Sequence, residues 1–513
     1  MWLPWKGKNE FFKSQLKMAL ILLIAYIGDR YQPSYPRNDN HNMPAFWFMN
    51  FALLILAAFT WINRNQPPSS MNTPTTTSTM THNPNDTSST ITPPVKITFL
   101  SREQTEEWKG WMQFAFIMYH YYRAYSAYNY IRVFVSSYVW MTGFGNYLYF
   151  EKTKDFSFER ILSMVIRINY FPLLLCLFVG VPLELYYVVP LHTVGFFLTM
   201  LTCYMAHVLD RYTYSLGHTG TRILAITLMA IFHIIFYETQ MVQLLLWVFG
   251  KEISFRFQAD KYSAWFGIFS AFFMKRITEF LTFAYGGKSS LATSGDATTL
   301  HYAGTIWKVS HISWIQRTVG MIFLLTWYLG FGSEPDKYKY NPLHPYVFML
   351  ALIGYLMIRN SSKYLTEYHS TILEFLGKNT LETYVLQFHL FMNHSVQYIP
   401  MILPHSDGKT GLWYMKFLNM LLCGSVFLTL SVWARRLTVS TQMTSVELWK
   451  IISAYKTMQL SEEVSGEEGG HNNDDDDTRK DTESLLADAS KYKPSSEETI
   501  ELTSSPLSNN NNL

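Results

Sequence analysis

Apolar runs long enough to cross a bilayer, or slightly short and aromatic-rich, recur along most of this 513-residue chain. They fall near residues 15–28, 45–63, 110–126, 130–150, 161–180, 185–207, 222–249, 262–284, 312–331, 345–358, 373–392 and 411–434. A hydrocarbon core takes roughly 17–25 residues of helix to cross, and a spanning helix satisfies its own backbone hydrogen bonds. The expected architecture is an all-α polytopic membrane bundle of about ten to thirteen transmembrane helices. Charged residues are only 15% of the chain, far below the roughly 25% of a soluble domain.

Four regions follow from shifts in composition. Residues 1–64 hold two N-terminal spans; the first follows Lys6, Lys8, Lys13 and Lys17 and shows no small-residue cleavage site. It reads as a retained helix with a cytoplasmic N-terminus. Residues 65–98, rich in Thr, Ser, Asn and Pro, have too little apolar surface to fold and read as a linker. Residues 99–440 form the multi-pass core, and 441–513 end in an acidic tail that passes through Asp474 to Asp477. Sequons stand at Asn85, Asn360 and Asn393. Cys176, Cys203 and Cys423 sit in apolar segments without metal-ligand spacing, so they read as small buried hydrophobes. No metal is expected. The net charge of +3 comes with no basic cluster interleaved with aromatics, which argues against nucleic acid as a partner.

Several ionisable residues interrupt the spans or flank them: Arg132, Arg160, Arg167, Arg256, Asp260, Lys275, Arg276, Glu279 and Arg317. Such groups cost several kcal/mol in lipid unless they face a cavity or a partner. The bland alternative for Lys275-Arg276 and for Arg435-Arg436 is snorkelling to the interface.

Within this pattern one pair stands out. Lys109 lies eleven positions before His120, and at about 100° per residue the two share a helical face, roughly 16 Å apart. A cation then sits near the membrane surface with a titratable imidazole below it. Such an imidazole can take the proton of a hydroxyl attacking a thioester, or be acylated itself. A histidine merely hydrogen-bonded between helices is the plainer alternative. His389 repeats the pattern: Lys378 is eleven positions before it and Glu382 seven, so a polar stripe on one helix is expected, with His389 orienting substrate or His120. His192 is a third polar intrusion, open to either packing or positioning. Arg132 opens its span, while Arg160 and Arg167 are seven apart on one face; guanidiniums so disposed suit bidentate phosphate binding. No glycine-rich phosphate loop, HExxH or GxSxG motif occurs.

The segments LSREQTEEWKGWMQ ending at Gln113, YNYIRVFVSSYVWMTGFGNYLYF ending at Phe150, DFSFERILSMVIRINYF ending at Phe171, YYVVPLHT ending at Thr193, FRFQADKYSAWFG ending at Gly267 and FLGKNTLETYVLQFHLF ending at Phe391 carry a resemblance. Over roughly residues 100–435 the chain resembles the reduced-wall-acetylation proteins of plants and the membrane domain of capsule and sialic-acid O-acetyltransferases. More distantly, Lys109 to His120 and Gly377 to His389 look like two signature helices of bacterial membrane acyltransferases. The resemblance implies a transmembrane acyltransferase fold, acetyl-CoA as donor, a Golgi membrane, and O-acetylation of a glycan or polysaccharide. It puts His120 in the place of the catalytic histidine and Lys109 in that of its basic partner, which also meets the donor. Arg132, Arg160 and Arg167 become candidates for the CoA phosphates. Capsule and sialic-acid relatives carry a large esterase-like domain between the first span and the core. Here only the polar linker fills that interval, as in the plant type, whose acetyl group passes to a separate lumenal acetyltransferase. The rival readings are an acetyl-CoA or acetyl-donor transporter without transferase chemistry, and an inactive scaffold.

Overall fold

In lipid, helices approach one another through small residues, and two glycine pairs bring helix backbones together here. The computed structural model describes residues 8–30, 37–38, 40–63, 99–213, 215, 217–239, 250–284, 309–403 and 412–467. The 65–98 linker with Asn85, and the acidic run from Asp474, lie outside the described residues. The helices in chain order are α1 (Lys8–Arg30), α2 (Met43–Phe59), α3 (Arg102–Tyr121), α4 (Tyr128–Thr153), α5 (Phe158–Leu175), α6 (Val188–Tyr212), α7 (Gly217–Glu238), α8 (Lys251–Ala259), α9 (Ser263–Phe272), α10 (Met274–Ala284), α11 (Val309–Trp327), α12 (Lys337–Arg359), α13 (Lys363–Glu367), α14 (Thr371–Lys378), α15 (Thr380–Leu386) and α16 (Trp413–Glu467).

A Cβ at Gly110 of α3 would lie 1.9 Å from the Leu373 carbonyl oxygen of α14, and one at Gly377 would lie 1.8 Å from that of Glu106. The same device joins α4 to α9, where Cβ atoms at Gly143 and Gly267 would meet the Ala264 and Trp140 carbonyls at 2.0 and 2.1 Å. Backbone therefore touches backbone at both crossings. Leu53 and Ala57 of α2 pack with Leu373, flanked by Trp111 and Phe114, so α2 is part of the same core.

Among the described residues the all-α expectation holds apart from one antiparallel ribbon, β1 (Trp61–Asn63) with β2 (Tyr368–Ser370), in register Trp61 to Ser370. Buried Glu107 pins it. One carboxylate oxygen accepts from the Ser370 backbone N–H at 2.8 Å, and the other pairs with Arg359 at 3.1 Å.

Contacts divide the chain into two units: residues 1–21, 157–170 and 436–513, and residues 22–156 with 171–435. In the first, Gln15 donates to Thr441 at 2.9 Å, Gln442 donates to Ser163 at 2.7 Å, and Phe158 stacks on Trp449. The second holds α2 to α4, α6 to α15 and both glycine crossings.

Among the described residues six helices are long and apolar enough to cross a membrane, with Met43–Phe59 a shorter seventh. Neither α3 nor α4 is one of them. Thirteen of the twenty residues of α3 are buried, among them Gln104, Glu106, Glu107 and Gln113. A helix wrapped by other helices does not need an apolar outer face.

Two expected spans are broken. The 262–284 run splits at Phe273 into α9 and α10, and the 373–392 run splits at Asn379 and then widens into a π-turn over Gln387–Phe391. The span expected over 222–249 is described as far as Glu238, the rest lying outside the described residues. Cys203 and Cys423 are buried, Cys176 is half-buried and all three are free. The Asn360 and Asn393 side chains are buried and donate to the Leu356 and Gly28 carbonyls, which leaves neither sequon open in this conformation.

Candidate active site

The start of α3 anchors the helix that carries two of the candidate residues. Ser101 and Gln104 form a capping box, and the Gln104 amide also reaches the Thr366 carbonyl at 2.8 Å. From that anchor one uninterrupted helix carries Lys109 and His120, so the eleven-residue spacing becomes a separation of roughly 16 Å on one face. Lys109 pairs with Glu106 at 2.7 Å and keeps 28% of its side chain exposed. The Lys109 ammonium also bears electrostatically on His192, whose Nδ1 meets the Thr142 hydroxyl at 2.5 Å.

His120 is half-buried in an aromatic collar of Phe116, Tyr119 and Phe388, with ring centroids 4.8, 5.1 and 5.7 Å away. Among the described residues its ring nitrogens have no hydrogen-bond partner. The cation that bears on it is Arg256 of α8. Arg256 pairs with Glu252 at 2.6 Å and lies 4.4 Å over the Tyr187 ring. Its helix begins at Gly250, at φ +100°, where a Cβ would also lie 2.0 Å from the Glu184 carboxylate. Only glycine suits that start.

Arg132 is buried in α4 and pairs with Asp260 at 2.8 Å. The Ser136 hydroxyl donates to the other Asp260 oxygen at 2.5 Å and meets His344 Nε2 at 2.7 Å, and His344 Nδ1 meets the Tyr340 hydroxyl at 2.9 Å. Arg132 Nε and Nη1 are buried with no protein partner. Two donor nitrogens of a buried guanidinium are thus left over among the described residues, and Tyr187, Tyr128 and Arg256 are near enough to act on that charge. Removing Asp260 would leave Arg132 uncompensated, a loss of about 3–5 kcal/mol in comparable buried pairs.

His389 is differently placed. Its ring is fully buried, Nε2 meets the Tyr186 hydroxyl, and Nδ1 meets the Asp29 carboxylate at 3.2 Å. The break at Asn379 removes the stripe expected with Lys378 and Glu382: Lys378 ends α14 and pairs with Glu374 at 2.6 Å, whereas Glu382 is buried in α15. Arg160 and Arg167 belong to the first unit, on α5.

Arg256 and Asp260 show in the sequence as charges beside apolar runs; their service to His120 and Arg132 does not. Asp29, Tyr186, Tyr187, Ser136 and His344 come into view only through the fold, although His344 lies in an apolar run like His120. An apolar cavity of about 410 Å³, lined by Trp108, Trp111, Phe134, Trp327, Leu352 and Tyr355, has almost no polar wall and does not suit a phosphate.

Residues 87–450 match the 10 TM Acyl Transferase domain found in Cas1p. The chain belongs to that acyltransferase family. Among curated proteins, the Danio rerio N-acetylneuraminate (7)9-O-acetyltransferase is 23% identical over 405 residues, 76% of this chain and 46% of that protein. The chain therefore spans about half the length of that relative. No solved structure matches. In this Cas1p-type domain, among the described residues, no group of three His, Cys, Asp or Glu side chains could hold a metal ion.

Proposed function

We propose that the protein is a membrane O-acetyltransferase of the Golgi that takes acetyl from acetyl-CoA and supplies it to glycan hydroxyls, directly or through a lumenal partner enzyme. The observation that carries this reading is His120: a histidine in the polar interior of an acyltransferase domain, with unengaged ring nitrogens and a cation at hand. The sugar-hydroxyl acceptor follows from the sialic-acid activity named for the Danio rerio relative.

In the direct version, one ring nitrogen of His120 takes the proton of the acceptor hydroxyl as its oxygen attacks the thioester carbonyl. The carbonyl oxygen gains negative charge, which the Arg256 guanidinium offsets. When the C–S bond breaks, the imidazolium returns its proton to the departing CoA sulfur. Positioned general-base catalysis of this kind contributes about 10²–10⁴-fold. Lys109, roughly 16 Å along the same face, and Arg132, through its two unpartnered nitrogens, are cations for the phosphates of the donor. Arg160 and Arg167 are candidates for those phosphates on the family resemblance.

Release of CoA from acetyl-CoA by the purified chain tests this. His120→Ala abolishing turnover, with Lys109→Ala chiefly raising KM, is the expected result. Full turnover without His120 overturns the mechanism. Tight acetyl-CoA binding without turnover by the native chain favours the transporter reading, which the buried Arg132–Asp260 pair also suits.

A further inference from the structure

The Asp29 carboxylate belongs to α1, well before residue 87 where the family match begins, yet it meets the ring of His389. Gly28 and Asn38, on either side of it, also meet the ends of the two histidine-bearing segments. A Cβ at Gly28 would lie 2.9 Å from the His389 carbonyl oxygen, and the Asn393 amide donates to the Gly28 carbonyl. Buried Asn38 donates to the His120 carbonyl at 3.4 Å and to that of Val396 at 3.3 Å, while Arg123 donates to the Asn38 carbonyl at 2.7 Å.

Beside these contacts the chain takes three consecutive left-handed residues, His394, Ser395 and Val396, with φ of 49°, 53° and 66°. A β-branched residue rarely adopts such a backbone, and it persists only where surrounding structure over-determines it. Asp29 supplies part of that constraint, because its Oδ1 accepts from the His394 backbone N–H at 2.7 Å.

The geometry points to Asp29 as the positioning residue for His389, and through it for the His120 site, so that the N-terminal segment outside the matched domain completes the reaction centre. This rests on the transferase reading above. With a carboxylate on Nδ1, the neutral imidazole carries its proton there and leaves the Nε2 lone pair to accept from the Tyr186 hydroxyl. The next residue, Tyr187, lies under Arg256, and Phe388, next to His389, closes the collar around His120. His389 has both nitrogens occupied and no exposed surface, so it orients neighbours and does not touch substrate.

A kinetic cycle on the full chain tests the assignment, with acetyl-CoA as the probe and CoA release as the readout. Asp29→Asn, close to isosteric, is made in the native background and in His389→Gln. The expected result is a fall in kcat of about tenfold or more in the native background, as for partners that orient an essential histidine, with KM for acetyl-CoA little changed. In His389→Gln the same change has almost no further effect, because a residue acting through another is non-additive with it. Equal losses in both backgrounds, or an unchanged kcat, would overturn the role of Asp29 while leaving the transferase reading intact. Should Asp29→Asn fail to fold, Tyr186→Phe, which keeps the ring, takes its place in the cycle: a loss confined to the native background supports the positioning chain, and equal losses overturn it. No CoA release by the native chain sinks both readings together.

Discussion

Two segments of this chain carry the same arrangement, a lysine eleven positions before a histidine in an apolar run, and fold it in different ways. From Lys109 to His120 the helix is unbroken, so spacing becomes geometry. From Lys378 to His389 the helix stops at Asn379, restarts, and widens into a π-turn, so the same spacing no longer fixes a shared face. The first histidine ends half-buried with unengaged ring nitrogens; the second is enclosed between Tyr186 and Asp29. Periodicity reports a shared face only where the backbone ladder continues, and a local polar pattern cannot say whether it does.

The sharpest way to break this comparison is to remove each imidazole in turn. His120→Ala is expected to cut CoA release by about 10²–10⁴-fold in kcat, the usual worth of a positioned base. His389→Gln is expected to lose less, since that side chain reaches the reaction through its neighbours. Steady-state kinetics of the two purified variants decide it, and a larger loss at His389 would exchange their roles.

A smaller effect tests why the first segment stays continuous and closely held. Gly110→Ala puts a Cβ 1.9 Å from the Leu373 carbonyl oxygen, and overpacking of this kind costs about 1–3 kcal/mol. The paired control is Gly145→Ala, where nothing lies within 4 Å. There the gain in helix propensity makes the change neutral or favourable by up to about 1 kcal/mol. Thermal unfolding in detergent should lower the midpoint for the first variant and not for the second; equal midpoints would mean that the α3–α14 crossing tolerates separation.

The architecture was largely legible in the sequence because burial in lipid forces long apolar helices and leaves few alternatives. Polarity within them singled out Lys109, His120, Arg132, Asp260 and His389 as candidates. Partnerships were not legible, since they join residues far apart in the chain: Asp29 with His389, Arg132 with Asp260, Ser136 with His344. The breaks at Phe273 and Asn379 were equally hidden. No proline marks either, and near Asn379 only Gly377, two residues earlier, hints at a helix end. α3 shows the converse case, a helix whose polar residues exclude it from a hydropathy criterion although it supplies the central histidine.

The finest test separates the two lysines. Lys378 is held by Glu374, which also meets His369 at 3.2 Å, and it belongs to a different helical piece from His389. Its charge is neutralised locally and lies on no continuous face with an imidazole. Lys109 also has a carboxylate neighbour, Glu106, but stands on the uninterrupted face of His120 and acts on His192. Lys109→Ala should therefore raise the KM for acetyl-CoA by more than tenfold, the 1.5–3 kcal/mol of a hydrogen bond to a charged group corresponding to about 10- to 150-fold, and leave kcat nearly intact. Lys378→Ala removes a partly exposed ion pair worth about 0.2–1 kcal/mol and should leave both constants within about twofold. Equal shifts in KM would show that the donor's phosphates reach both lysines, and the continuity of α3 would then explain the placement of His120 without explaining where the carrier binds.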